Sequence, residues 1–261
     1  PELPDVEAFK TYLDATALHH PITGVHVHDT RVLEGTSPGA LGRALHGRQL
    51  TGSTRYGKYL LADLDQGGAL VLHFGMTGSL RYEQTPQVGG SDVLVVDFDN
   101  GYHLLFSSQR RLGRVALTDD PGGFAGAHDL GPDALSLAEA DFAERLGHGR
   151  ATVKSALMDQ SRLAGIGNVY ADEILFDAGI HPRRRLAGLD GDARHALYRS
   201  MRKVLDQAVA CGADPDCYPR TWLTPRREAD RPCPRCDGTI SQIKINGRTT
   251  YVCPTHQPPP A

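Results

Sequence analysis

The chain has 261 residues, 40% of them hydrophobic and 23% charged, which is enough to bury one large core or two to three smaller ones. No apolar run approaches the roughly 18 residues of a membrane-spanning helix, so we expect no membrane partner. The formal net charge of −3 excludes proteins that coat nucleic acid through a strongly basic surface, and any contact of that kind must be local.

The first segment of the chain has a helical pattern, because apolar residues recur after Pro4 at Val6, Phe9, Leu13 and Ala17. This spacing predicts a short amphipathic helix that fixes the amino terminus against the body of the protein. The stretch PELPDVEAF has neither the basic residues nor the apolar run of a secretory signal, so we expect a cytoplasmic protein.

Short β-rich runs follow between residue 24 and about residue 117, among them 69–74, 93–98 and 102–106. The pair Asn100-Gly101 between the last two runs is a strong signal for a two-residue hairpin. Short strands with Gly-rich turns and no long helical pattern predict an antiparallel sandwich or flattened barrel.

The pattern becomes helical after the Pro/Gly-rich stretch 119–131. It predicts helices near residues 136–146, 152–158, 169–178 and 190–210. Gly212 follows the last of these and is expected to cap it. From Arg231 onward the tail reads as a small β unit punctuated by Cys and Gly.

Two pairs of metal-ligand residues lie in this tail, Cys233-Pro-Arg-Cys236 and Cys253-Pro-Thr-His256, separated by a strand-like stretch with a turn. Two intervening residues in each pair are typical of a zinc ribbon. Four ligands close a tetrahedral site and leave no open position, so the sequence predicts one structural Zn²⁺.

The odd number of cysteines favours reduced thiols over a disulfide framework. Two alternatives remain open for the metal site. One is an unmetallated hairpin with incidental thiols, and the other uses Cys211 and Cys217 as ligands.

Six separated stretches then occur in a particular order. They are PELPDVE at the start, RYGKYL around Lys58, HFGMTGSL around Met76, QRRLGR around Arg110, GIGNVYADEILFDAGIHP around Asn168, and GRTTYVCP in the ribbon. Together they resemble the formamidopyrimidine-DNA glycosylase / endonuclease VIII (Fpg/Nei) family of bifunctional DNA glycosylases, from the first residue almost to the last.

The resemblance implies an α+β multidomain fold. Its parts are an N-terminal antiparallel β-sandwich with a leading helix (1–125), a helix-two-turn-helix DNA-binding domain (126–228), and a zinc-ribbon finger with a short tail (229–261). It also implies a monomer that binds damaged double-stranded DNA, removes the base and cuts the strand at the abasic site, and that is associated with the nucleoid when it is on DNA.

In such a family the amino group of Pro1 attacks C1′ of the damaged nucleotide and forms an iminium from which the strand is cut by β- and δ-elimination. An α-amino group with an ordinary pKa of about 7.8 is roughly one-third neutral at pH 7.5, whereas a lysine is about 0.1% neutral. The resemblance assigns the acid/base role to Glu2, a phosphate-binding and elimination role to Lys58, and a phosphate clamp associated with δ-elimination to Arg248.

Further DNA contacts are implied for residues that fill the gap left by the extruded nucleotide or that hold phosphates. The first group is Met76, Arg110 and Leu112, and the others are His73, Arg111, Lys154 and Asn168. Each of these could instead have a structural role, for example Asn168 as a helix cap or Lys154 as a surface side chain.

Three departures from the family pattern bear on function. Leu112 replaces an aromatic wedge and offers no π-face. His256 stands where the family has a cysteine. Residues 212–222 replace the Gly-rich stretch that covers 8-oxoguanine, so the preferred lesion stays open among ring-opened or further-oxidised purines, oxidised pyrimidines and 8-oxoguanine.

Two other functions are weighed against this prediction. A catalytically silent zinc-finger DNA-binding protein would keep the fold without using Pro1. A metal-dependent nuclease would need clustered carboxylates for magnesium. In addition, residues 220–256 hold seven Lys/Arg against three Asp/Glu. This local excess of positive charge would suit a DNA contact, and a solvated surface would also explain it.

Overall fold

The structure is a computed structural model that describes residues 1–260. Its contacts divide the chain into two compact units, one of Pro1 and residues 5–128 and the other of residues 2–4 and 129 onward. Within the described residues, no helix is both long and apolar enough to span a bilayer. The predicted limits of the three domains stay a prediction.

The first unit is built on two four-stranded antiparallel sheets. The strands are β1 (Ile22–Val27), β2 (Leu50–Tyr56), β3 (Tyr59–Leu64), β4 (Ala69–His73), β5 (Gly78–Glu83), β6 (Asp92–Phe98), β7 (His103–Ser108) and β8 (Arg114–Thr118). One sheet has the order β1-β6-β7-β5 and the other β2-β3-β4-β8. Leu60 and Leu72 of one sheet and Val96 and Phe106 of the other belong to a single buried cluster, which confirms the predicted β-sandwich.

Three helices accompany these sheets, α1 (Leu3–Thr16), α2 (Pro38–Leu45) and α3 (Phe124–Ala127). Val6 and Leu13 of α1 are fully buried in the sandwich core, which confirms the leading helix. Helix α2 was not predicted. Its signal is Ser37, whose Oγ accepts a hydrogen bond from the Ala40 N–H at 3.2 Å, followed by a proline in the first turn.

The second unit contains four helices and a hairpin. The helices are α4 (Glu139–Leu146), α5 (Val153–Met158), α6 (Asn168–Asp177) and α7 (Gly191–Ala210), and the hairpin strands are β9 (Ser241–Ile245) and β10 (Arg248–Val252). Leu157, Ile174, Leu197 and Trp222 are in its main core. The helix-two-turn-helix pair is α5 and α6, and the C-terminal hairpin is the predicted finger. Gly212 has a φ of +60° directly after the end of α7, as a helix cap requires.

The cysteines correct one expectation, since Cys211 and Cys217 form a disulfide and are not reduced thiols. The left-handed turn at Gly212 and a short 3-10 helix at Pro215–Cys217 bring the two Cα atoms to 5.6 Å, within the usual range for a disulfide. This pairing removes both residues as alternative metal ligands.

Candidate active site

The first unit brings together three of the predicted site residues, Pro1, Lys58 and His73. Lys58 lies in the turn between β2 and β3, and His73 is the last residue of β4. Burial lowers the pKa of His73 to about 4, and the positive charges of Lys58 and of the Pro1 amino group lower it further in the same direction. Both cations are therefore close to the imidazole.

His73 is consequently neutral at neutral pH. Its Nδ1 accepts a hydrogen bond from the Gly75 N–H at 3.2 Å. In a neutral imidazole the other nitrogen then carries the proton, so Nε2 is a donor that suits an anionic ligand such as a phosphate.

Two neighbouring loops carry the predicted gap-filling residues. Met76 and Leu112 are 60% and 41% exposed, which is unusual for large apolar side chains. Arg110 Nη1 lies 3.2 Å from Met76 Sδ. A Cβ on Gly75 would lie 2.5 Å from the carbonyl carbon of Leu112, so the two loops touch. The structure thus brings this trio together on the surface of the first unit.

Arg111 makes several contacts within the protein. It has a φ of +56°, and its Nε donates to Asp29 Oδ2 at 2.7 Å while Nη1 donates to the Ser108 carbonyl at 2.8 Å. Hydrogen bonds from Arg31 and Arg111 hold the pKa of the Asp29 carboxyl well below its ordinary range. The guanidinium of Arg111 therefore anchors the loop that presents Arg110, and its contact with DNA stays a prediction.

Glu2 is held by the second unit. Its carboxylate accepts hydrogen bonds from the N–H groups of Gly167, Val169 and Tyr170 at 2.8, 2.7 and 3.2 Å. These donors lie at the start of α6, where helix N–H groups have no partner within the helix and the dipole favours a negative charge. A Cβ on Gly167 would lie 2.4 Å from Glu2 Cδ, so this close approach needs glycine.

The finger hairpin presents Arg248. Asn246 and Gly247 form its turn with φ values of +47° and +76°, and Arg248 begins β10 with an exposed side chain. Asn168 Nδ2 donates to the Thr249 carbonyl at 2.9 Å. Asn168 is the first residue of α6, after the N-cap Gly167, and so it supports the hairpin as well as lying where a phosphate contact is predicted.

A buried ion network, which the sequence did not indicate, ties the same hairpin to the helices. Lys154 and Asp172 are 1% and 0% exposed at their side chains and lie 2.7 Å apart. Asp172 also pairs with Arg227 at 2.8 Å and accepts from the Tyr251 N–H at 3.1 Å, and Lys154 Nζ donates to Thr250 Oγ1 at 2.6 Å. The ammonium of Lys154 thus contacts both α6 and the hairpin in this structure, and its contact with DNA stays a prediction.

The spacing of the cysteine sulfur atoms shows whether they can bind one zinc ion together. The Sγ atoms of Cys233, Cys236 and Cys253 all lie within 4.8 Å of one another, with Cys236 and Cys253 3.5 Å apart. Zn–S bonds of about 2.3 Å in a tetrahedron separate two sulfurs by about 3.8 Å, so the three thiols fit a structural zinc ion.

His256 is not part of this cluster among residues 1–260. Its Nε2 lies 2.8 Å from the Phe176 carbonyl and must donate to it, because a carbonyl only accepts. A zinc-bound histidine commonly makes this bond with its second nitrogen, and it leaves Nδ1 without a proton. His256 as the fourth ligand therefore stays a prediction.

Comparison with known families matches three consecutive regions of the chain. Residues 1–115 match the formamidopyrimidine-DNA glycosylase N-terminal domain, and residues 130–216 match its H2TH domain. Residues 231–255 match the zinc finger found in FPG and IleRS. The matches follow the order of the sandwich, the helices and the hairpin.

Whole-chain relatives agree with these matches. The formamidopyrimidine-DNA glycosylase of Chloroflexus aurantiacus is 35% identical over 270 residues, covering 98% of this chain and 97% of the relative. That of Teredinibacter turnerae is 36% identical and covers 98% of each. Lactococcus lactis Fpg, solved with DNA containing an abasic site, superposes with a TM-score of 0.89 at 26% identity, covering 99% of this chain and 100% of the other. The chain belongs to the formamidopyrimidine-DNA glycosylase family of bifunctional DNA glycosylase/abasic-site lyases.

Proposed function

We propose that this chain excises ring-opened purines from duplex DNA and cuts the strand at the abasic site, with the amino group of Pro1 as nucleophile. The observation that carries the proposal is that three backbone N–H groups hold the carboxylate of Glu2, the residue that follows Pro1, at 2.8, 2.7 and 3.2 Å. The positive charges of the Pro1 amino group and of Lys58 also lower the pKa of His73. Relatives bearing the name formamidopyrimidine-DNA glycosylase, and a Lactococcus lactis structure with N7-benzyl-Fapy-dG DNA, support the substrate class.

The chemistry follows from a secondary amine. Pro1 N forms a bond to C1′ while the bond from C1′ to the base breaks, and the base leaves with a proton. The C1′–O4′ bond of the sugar then breaks, O4′ takes a proton from Glu2, and the nitrogen lone pair forms the charged iminium. The iminium accepts electrons when the C2′ proton is removed and the 3′-phosphate departs. Loss of the 5′-phosphate completes δ-elimination. Glu2 exchanges the protons, and Lys58 and Arg248 stabilise the charge on the departing phosphates.

The remaining predicted contacts divide in two. Met76, Arg110 and Leu112 fill the gap left by the extruded nucleotide, and their exposure and mutual contact support this. His73 and Asn168 donate to flanking phosphates. Zinc, when bound to the three cysteines, holds the hairpin that carries Arg248.

The substrate range depends on residues 212–222. Tyr218 and Trp222 are buried in the core of the second unit, and the disulfide closes the preceding turn. A segment tied to the core in this way is poorly suited to fold over an extruded base, so we expect 8-oxoguanine to be a weaker substrate than a ring-opened purine. The proposal includes a monomer in the cytoplasm that associates with the nucleoid on DNA.

A lesion panel tests this function. Duplexes carrying a ring-opened purine, an abasic site or 8-oxoguanine are incubated with the zinc-loaded protein in excess chelator over a short assay. We expect β,δ-elimination products from the first two and slower release of 8-oxoguanine. The proposed nucleophile is an amine, so cleavage should not need magnesium. Cleavage only with added magnesium, or binding without cleavage, would support the nuclease or the silent DNA-binding protein instead.

A further inference from the structure

The segment after α7 is a rigid part of the second unit. The disulfide between Cys211 and Cys217 closes its first turn. Further along, the fully buried Glu173 carboxylate accepts hydrogen bonds from the Leu223 and Thr224 N–H groups at 3.1 and 2.6 Å. Trp222 is 1% exposed. The backbone of residues 211–224 is thus fixed at both ends and in the middle. Arg226 follows it directly, and its N–H donates to the Leu223 carbonyl at 2.7 Å, so side chains on the outer face start from a fixed base.

An arginine groove lies beside this segment and is defined here by Arg220, Arg226 and Arg231, which line one open cavity of about 340 Å³. Arg231 pairs with Glu228 at 2.8 Å, but both side chains are more than half exposed. Asp216 is the one acidic residue that lines the cavity. Arg220 and Arg226 make no side-chain hydrogen bond or ion pair with any of residues 1–260.

Guanidinium groups without a protein partner, on a fixed backbone, are suited to bind phosphate groups. A guanidinium presents its donors in a planar fork that matches two oxygens of a phosphate, and little freedom is lost when the base of the side chain is already held. Two such groups beside one groove make a site for consecutive phosphodiesters of a strand, with Asp216 excluding the anion from its own side of the cavity.

We propose that Arg220 and Arg226 bind the phosphodiester backbone of duplex DNA, in addition to the contacts of Asn168 and Arg248. The inference rests on the proposed function for its ligand. It gives a use to Arg220, within the altered stretch 212–222, and to Arg226 shortly after it, which is to bind the strand. The arginines act on affinity and salt dependence and leave base identity unread.

Salt dependence gives a quantitative test. The logarithm of the binding constant for duplex DNA falls with the logarithm of salt concentration by about 0.9 for each phosphate contact. In the double variant R220Q/R226Q we expect this slope to decrease in magnitude by about 2 and the affinity to fall most at low salt. Binding is measured by anisotropy on a labelled duplex with an uncleavable abasic analogue.

The matched control is R145Q/R199Q, which removes two exposed arginines from α4 and α7 of the same unit. Its slope should equal that of the unchanged protein. An unchanged slope in R220Q/R226Q, or an equal loss in the control, would overturn the proposal. A third outcome would also overturn it. If inorganic phosphate binding is lost in R220Q/R226Q while the salt dependence of DNA binding is unchanged, the groove binds free phosphate and not the DNA backbone. The experiment needs only binding, so it can fail while cleavage of abasic DNA succeeds.

Discussion

We expect excision of a ring-opened purine to fall by about 10²–10⁴-fold in Glu2→Gln protein, the usual contribution of a positioned acid/base group. The Glu2 carboxylate accepts three backbone N–H groups at the start of α6. The amide of a glutamine can accept these hydrogen bonds only through its oxygen, and its N–H₂ group then faces backbone N–H donors. It also cannot exchange a proton with the substrate. Single-turnover base release measures the effect.

The matched control for this prediction is Glu144→Gln on the exposed surface of α4, which should excise the base at the unchanged rate. Borohydride trapping on a preformed abasic site should decline much less than base release in Glu2→Gln protein, because the Pro1 amine is retained. Base release at the wild-type rate in Glu2→Gln would remove Glu2 from the mechanism.

We expect Asp172→Asn to destabilise the second unit by about 3–5 kcal/mol, the range for one partner removed from a buried ion pair. Asp172 is the shared acceptor for Lys154, Arg227 and the Tyr251 N–H, and the Lys154 side chain is only 1% exposed. Burial lowers the pKa of Lys154 and Asp172 opposes this, so loss of the carboxylate leaves the ammonium without its main support. Chemical denaturation gives the free energy of unfolding.

A surface pair provides the comparison for Asp172. Asp159 pairs with Arg162 at 3.2 Å with side chains 42% and 33% exposed, and Asp159→Asn should cost at most about 1 kcal/mol. In Asp172→Asn, hydrogen exchange at residues 248–252 should also accelerate, because the hairpin loses the acceptor for the Tyr251 N–H. Equal effects of the two substitutions would contradict the assignment of Asp172 as the residue that positions the hairpin.

The features that the sequence predicted correctly are those specified by local pattern. The two-residue turn signal of Asn100-Gly101 lies between β6 and β7, and the period of apolar residues after Pro4 places Val6 and Leu13 in the sandwich core. Cys233 and Cys236 lie on one short turn before the β9–β10 hairpin, and Cys253 directly follows the hairpin, so the three thiols come together.

The features that it missed depend on contacts between distant segments. Lys154 and Arg227 share one partner, Asp172, which is far from both along the chain, so no local period of the sequence indicates these ion pairs. One signal was available. Asp172 and Glu173 are adjacent carboxylates inside α6, most of whose residues are buried, and buried carboxylates need partners. The disulfide was missed because its spacing depends on the left-handed turn at Gly212.

The chemistry at Pro1 is tested by locating the covalent adduct. Protein is incubated with abasic DNA and borohydride, digested, and mapped by mass spectrometry. We predict that the adduct lies on the peptide of residues 1–10, on the Pro1 nitrogen. It should disappear when one residue is added before Pro1, which converts the amine to an amide, and persist when the residue is added at the other end. An adduct on Lys58, or one that survives the amino-terminal addition, would contradict Pro1 as the nucleophile.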